Sequence, residues 1–167
     1  ASFTSYIINR YIIHKTTLKF EWKLPDWIYE SALWDNLLEL SIIDEYQIYH
    51  DCGKPFCLII DSDGKRHFPN HAEISSEIWL EYNKHSDRNI QISKLIKMDM
   101  DIHLLKDIGI DDFCKNKESA TLLITGLCEI HSNASMFGGI ESISFKTKFK
   151  NINKRGKKIT NYLMENQ

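Results

Sequence analysis

The chain has 167 residues, 43% of them hydrophobic and 26% charged, with 21 Lys and Arg against 23 Asp and Glu. That length buries a core without staples and fits a single domain over 1–167, with its core at about 25–140 and a basic segment at 141–167. The near-balanced charge excludes a protein that is basic throughout; no apolar run approaches a membrane span and no signal peptide is read from Ala1 onward, so the expectation is a cytoplasmic protein with no membrane partner. The four cysteines, Cys52, Cys57, Cys114 and Cys128, fit neither a disulfide framework nor a zinc knuckle and read as reduced thiols. Seven Gly and three Pro favour helices over a sandwich of strands.

In chain order, Tyr6, Ile7, Tyr11, Ile12 and Ile13 predict a helix over 4–14, and the alternation from Thr16 to Trp22 predicts a short strand or extended arm. Pro25-Asp26 opens a helix through about Leu40, with Trp27, Ile28, Ala32, Leu37 and Leu38 available for one face. Asp44 caps the next predicted helix, on which Ile43, Tyr46 and His50 fall at i, i+3 and i+7, so His50 points where the apolar residues point. Gly53 and Pro55 stop that helix. Phe56 to Ile60, the turn signal Asp61-Ser62-Asp63-Gly64 and Lys65 to Phe68 predict a small hairpin. Asn70 caps a helix to about Lys84 with His71, Ile74 and Ile78 on one face. Residues 90 to 107 read as one helix with Ile92, Ile96, Asp99 and Ile102 or His103 on one face, which makes Asp99 and His103 neighbours. Ala120 to Phe137 is apolar nearly all round, apart from Glu129, His131 and small polar residues, and predicts a central buried helix ended by Gly138-Gly139. The chain is therefore expected to be an all-α bundle with a small β-hairpin insertion.

The chemistry concentrates in Tyr49-His50-Asp51-Cys52-Gly53-Lys54-Pro55 and in His67-Phe68-Pro69-Asn70-His71. An imidazole and a carboxylate side by side at a helix end suit a divalent metal, among them Zn, Mn, Fe, Ni, Co and Mg. The stretch His50 to Pro55, the Asp63-Gly64 loop and His71 opening the next helix resemble the HD superfamily of metal-dependent phosphohydrolases. They are most similar to the HD domains of tRNA nucleotidyltransferases and of RNA-repair enzymes, over roughly residues 40 to 135. The resemblance implies one divalent metal held by His50, Asp51, His71, Asp99 and Glu129. Asp99 stands where the family has His, with Asp101 as its competitor and His103 as a further ligand or a partner to Asp99. Glu129 and His131 are the groups with ligand chemistry on the buried helix. The family's first His has no counterpart between Asp26 and Gln47, which leaves His14 as the upstream candidate.

On this resemblance Asp51 and Lys54 are the catalytic candidates, Lys54 as the cation for phosphate oxygens. The implied activity is hydrolysis of a phosphoester on a nucleotide or RNA end, of the 2′,3′-cyclic phosphodiesterase or nucleotidase type. The alternatives are a deoxynucleoside triphosphate or signalling-nucleotide hydrolase, and a non-catalytic nucleic-acid-binding or regulatory module of the same fold. The basic tail is a second signal. Phe145-Lys146-Thr147-Lys148-Phe149-Lys150 alternates, and Lys154-Arg155-Gly156-Lys157-Lys158 follows. Interleaved cations and aromatics suit a phosphate backbone with stacked bases, and the alternation also fits a short strand.

Overall fold

The computed structural model describes Thr4, Ile8 and residues 23–166. Thr4 and Ile8 are helical and buried. The other residues of the helix expected over 4–14, the short strand or extended arm expected from Thr16 to Trp22, and His14 lie outside the described residues. Among the described residues the fold is all-α with one two-stranded insertion, as the sequence implies. None of the described helices is long and apolar enough to cross a membrane.

The chain divides into two compact units, one made of residues up to Leu38 with Ile102 onward, the other of Glu39–Asp101. In the first, a 3-10 turn over Asp26–Tyr29 precedes helix α1, Ser31–Asp35. The single helix expected to Leu40 is thus broken at Glu30, which is extended. Trp27, Ile28, Leu33 and Trp34 are all buried. Two adjacent bulky pairs cannot share one face of a straight helix, whereas a break between them turns both inward. Trp34 Nε1 donates to the Ile28 carbonyl at 2.7 Å across that break.

Helices α5 (Asp101–Leu104), α6 (Ile110–Cys114), α7 (Ser119–Ser132) and α8 (Ile143–Glu165) follow the second unit in sequence. As expected of a central helix, α7 is buried on nearly every side, but it stops at Ser132 and a separate 3-10 turn over Ala134–Phe137 precedes Gly138; Thr125 meets its own turn by donating to the Thr121 carbonyl at 2.9 Å. Helix α8 overrules the strand alternative for the alternating tail. Phe145 and Phe149 are four apart, both buried, and stack at 5.8 Å with the lysines between them outside. Gly156 faces the Trp27 indole, where a Cβ would lie 2.3 Å from the nearest ring atom.

In the second unit α2 (Leu40–Tyr49) begins four residues before the expected cap at Asp44. The hairpin pairs β1 (Ile59–Ile60) antiparallel with β2 (Arg66–His67), with Ile59 opposite His67. Helices α3 (His71–Tyr82) and α4 (Asp87–Lys97) pack closely, with Ser76 and Ser93 hydroxyls 2.7 Å apart and Trp79 Nε1 donating to the Asn89 carbonyl at 3.0 Å. The helix expected over 90–107 is two helices. Ser86 caps α4 by accepting from the Asn89 N–H at 3.2 Å, and the chain turns at Met98 before α5. That turn carries the Asp99 carboxylate inward to the Tyr46 hydroxyl.

Candidate functional site

The His-Asp pair sits on the turn that leaves α2. His50 is the C-cap, its N–H bonded to the Tyr46 carbonyl at 2.8 Å, so the helix stops before the pair rather than after it. The chain keeps turning, with Cys52 N–H on the Tyr49 carbonyl and Lys54 N–H on the Asp51 carbonyl, each at 3.0 Å, into a 3-10 turn over Lys54–Phe56. Gly53 presses on α3. Its N–H donates to Ser75 Oγ at 2.8 Å, and a Cβ there would stand 2.5 Å from the Ser75 nitrogen. Only a residue without a side chain lets the turn reach α3 this closely.

That contact brings His71, the first residue of α3, to Asp51. His71 Nε2 is 3.7 Å from Asp51 Oδ1, and His50 Nε2 is 3.5 Å from Asp51 Oδ2. Each imidazole has its other nitrogen on a backbone carbonyl, His50 Nδ1 on Gln47 at 3.0 Å and His71 Nδ1 on Phe68 at 3.1 Å. A carbonyl can only accept, so each ring donates through Nδ1–H, and this holds each Nε2 toward the carboxylate. A histidine that ligates a metal through Nε2 is oriented by the same kind of Nδ1–H bond. Lys54 Nζ lies 2.6 Å from Asp51 Oδ2 and 5.6 Å above the Phe68 ring. Asp51 Oδ1 is buried and accepts from nothing, the one such side-chain atom among the described residues.

The donors fit a divalent ion in kind. Two imidazole nitrogens and a carboxylate are a metal-binding set, and neighbouring donors around a tetrahedral ion lie ~3.4 Å apart when the bonds are about 2.1 Å. They are not gathered on one point, because the two histidines approach opposite oxygens of Asp51. Among the described residues no group of three or more His, Cys, Asp or Glu side chains is arranged to hold an ion.

The other candidates are placed as follows. Asp99 is buried and accepts from the Tyr46 hydroxyl, whose ring stands edge-on to His50 at 6.0 Å, so Tyr46 links Asp99 to His50. Asp101 is exposed at the start of α5. His103 is not the neighbour of Asp99 that a continuous helix implies. It meets Glu129 instead, Nε2 to Oε2 at 2.9 Å, within the unit that holds α7. His131 has both ring nitrogens on carbonyls, Leu127 at 2.7 Å and Lys23 at 2.9 Å, and packs edge-on against Phe145 and Phe149. Burial pushes its pKa below the ordinary histidine value. Burial also pushes the Cys52 thiol up, which keeps it protonated as a filler beside the motif. Tyr46 and Ser75 are the residues that sequence reasoning missed. Tyr46 stands one turn before His50, which is the only trace of its role in the sequence.

No family model, curated protein or solved structure matches this chain.

Proposed function

We propose that the chain is a metal-dependent phosphohydrolase acting in the cytoplasm on a phosphoester of a nucleotide or RNA end, of the 2′,3′-cyclic phosphodiesterase or nucleotidase type. One observation carries this reading. Asp51 Oδ1 is buried without a hydrogen-bond partner, and two histidines turn their Nε2 atoms to the same carboxylate. A buried carboxylate oxygen is costly unless something positive meets it, and an ion would meet it while taking both Nε2 atoms. The chemistry a bound divalent ion supplies is a water made acidic near neutral pH and a charge that balances the phosphoryl oxygens.

His50, Asp51 and His71 would hold the ion, with the Gln47 and Phe68 carbonyls fixing the two rings. Asp99 stays in the proposed set from the resemblance, acting on His50 through Tyr46 in the arrangement described here, while Glu129 pairs with His103 within the other compact unit. Lys54, which pairs with Asp51 Oδ2 at 2.6 Å, would be the cation for the substrate phosphate. The free thiols of all four cysteines are compatible with a reducing compartment.

A second reading has its own observation. Lys54 already neutralises Asp51 at 2.6 Å, which suits a structural ion pair in a non-catalytic regulatory module. Metal analysis of the purified protein, followed by a panel of nucleotides and cyclic phosphates with Mn, Ni, Co and Mg, separates the two. The hydrolase reading expects about one ion per chain, the number this donor set can hold, and turnover lost in His50→Ala and His71→Ala. A protein that takes up no ion and hydrolyses nothing on the panel is the module.

A further inference from the structure

Helix α8 carries seven basic residues and one acid, Glu165, while the chain as a whole carries 21 basic and 23 acidic residues, so the remainder holds 14 basic and 22 acidic. The basic residues are also sorted around the helix. Phe145, Phe149, Ile152, Gly156, Ile159, Thr160 and Leu163 form its buried side. Lys146, Lys150, Lys154, Lys157 and Lys158 are all exposed and, at 3.6 residues per turn, fall within an arc of roughly 120° on the opposite side. They run along about 18 Å of helix, with the row Lys146, Lys150, Lys154 repeating every ~6 Å.

Little in the unit neutralises this row. Lys146 pairs with Glu141 at 2.8 Å, and Lys154 and Lys158 share one carboxylate, Asp107, at 2.7 and 3.1 Å. Lys150 and Lys157 make no ion pair among the described residues. The two carboxylates that are present lie in water, where such pairs exchange easily for a stronger anion.

We infer that the exposed lysine row of α8 is a docking surface for a nucleic-acid backbone, held through phosphates alone and without reading bases. The aromatics that would stack bases are not on this face. Phe145 and Phe149 are buried beneath the helix, so the alternation of Phe and Lys in the sequence does not amount to a stacking platform. The row itself offers charge and spacing, which match phosphates common to all sequences. A membrane is the weaker partner, because the apolar side of α8 that would enter the lipid is spent on the core. The inference does not rest on the hydrolase reading. Its residues belong to the other compact unit, and it is tested by binding without turnover.

The test is fluorescence anisotropy of the full chain with labelled oligouridylate, oligothymidylate and a mixed-sequence duplex, over a series of salt concentrations. Five lysines on single strands predict a slope of log K against log salt of about −3.5, nearly equal for the two homopolymers. Replacing the two lysines without partners, Lys150→Gln with Lys157→Gln, should flatten that slope by about 1.4. Lys150→Arg with Lys157→Arg should restore it, and circular dichroism should be unchanged in both. The inference is overturned by no binding, by a strong preference for one base, or by a slope that the Gln pair leaves alone. Polyglutamate or phosphatidylserine vesicles that bind at least as tightly as the oligonucleotides at equal charge would also overturn it, and would assign the row to an acidic protein or a lipid surface.

Discussion

In the unit that holds α7 and α8, buried polar groups find partners close by: Thr125 on the Thr121 carbonyl, Thr160 on the Gly156 carbonyl, and His131 between two carbonyls. In the unit Glu39–Asp101, Asp51 Oδ1 is buried with nothing to accept from, and the Nε2 atoms of His71 and His50 approach the two oxygens of that one carboxylate. The difference separates two kinds of constraint. The first unit meets these polar groups from within, which is what stability asks for. The second keeps an unmet polar need at its motif, and such a need is characteristic of a place that binds something.

The sharpest way to break the comparison is Asp51→Asn. If the unmet oxygen serves an ion, metal-stimulated hydrolysis should fall on the order of 10³-fold, the several kcal/mol a metal supplies to a phosphoryl transition state. Thermal stability without metal should change by less than about 1 kcal/mol, because what is lost is a partly exposed ion pair with Lys54. Activity that survives this change moves the site elsewhere.

The next largest effect belongs to the satisfied unit. Gly156→Ala puts a methyl against three atoms of the Trp27 indole, 2.3 to 2.5 Å away, so denaturant midpoints should fall by the equivalent of about 3 kcal/mol, the upper end for overpacking. A midpoint that does not move would show that this packing yields freely.

Tyr46→Phe refines the site. It strips the Asp99 carboxylate of the hydroxyl donor while leaving the ring beside His50. An outer partner is worth roughly 10–100-fold in metal affinity, and Tyr46→Phe and Asp99→Asn should lose similar amounts, read by metal titration calorimetry. If Asp99→Asn matches Asp51→Asn instead, Asp99 touches the ion itself.

The smallest effect is one of pH. The folded pKa of His131 is lowered by burial, so between that value and the unfolded value near 6.5 the unfolded chain binds more protons. Stability should therefore fall as pH drops below about 6.5, and His131→Gln should flatten the fall in denaturation curves taken across pH 5 to 7. An unchanged slope would place the proton uptake on another group.

The parts of this fold legible in the sequence are those where one period explains every residue. The buried helix near 119–132, the helix that His71 opens and the hairpin with its Asp-Gly turn are of this kind. The breaks at Glu30 and Met98 were not legible. Each is set by what buried side chains reach across space, the indole of Trp34 in one case and the carboxylate of Asp99 in the other. The alternation at 145–150 misleads for a simple reason: aromatics four apart suit one helix face as well as they punctuate a strand. Of the site, the motif brings together His50, Asp51, Lys54 and His71, whose spacing is local or crosses one hairpin. Glu129 pairs with His103 26 positions away, and Tyr46 meets Asp99 across 53, distances over which a single sequence carries no signal.

The Gly53–Ser75 contact has a practical side. It fastens the chain immediately before the hairpin to the helix immediately after it, so the two ends of that excursion are fixed by a bond they make with each other rather than by the strands between them. Extending a surface loop whose ends are already held costs only about 0.6 kcal/mol for each doubling of its length. The exposed tip at Asp63-Gly64, with open space around the glycine, is thus the natural splice point of the molecule. An epitope, a fluorophore-bearing peptide or half of a split reporter can be grafted there while His50, Asp51 and His71 keep their places.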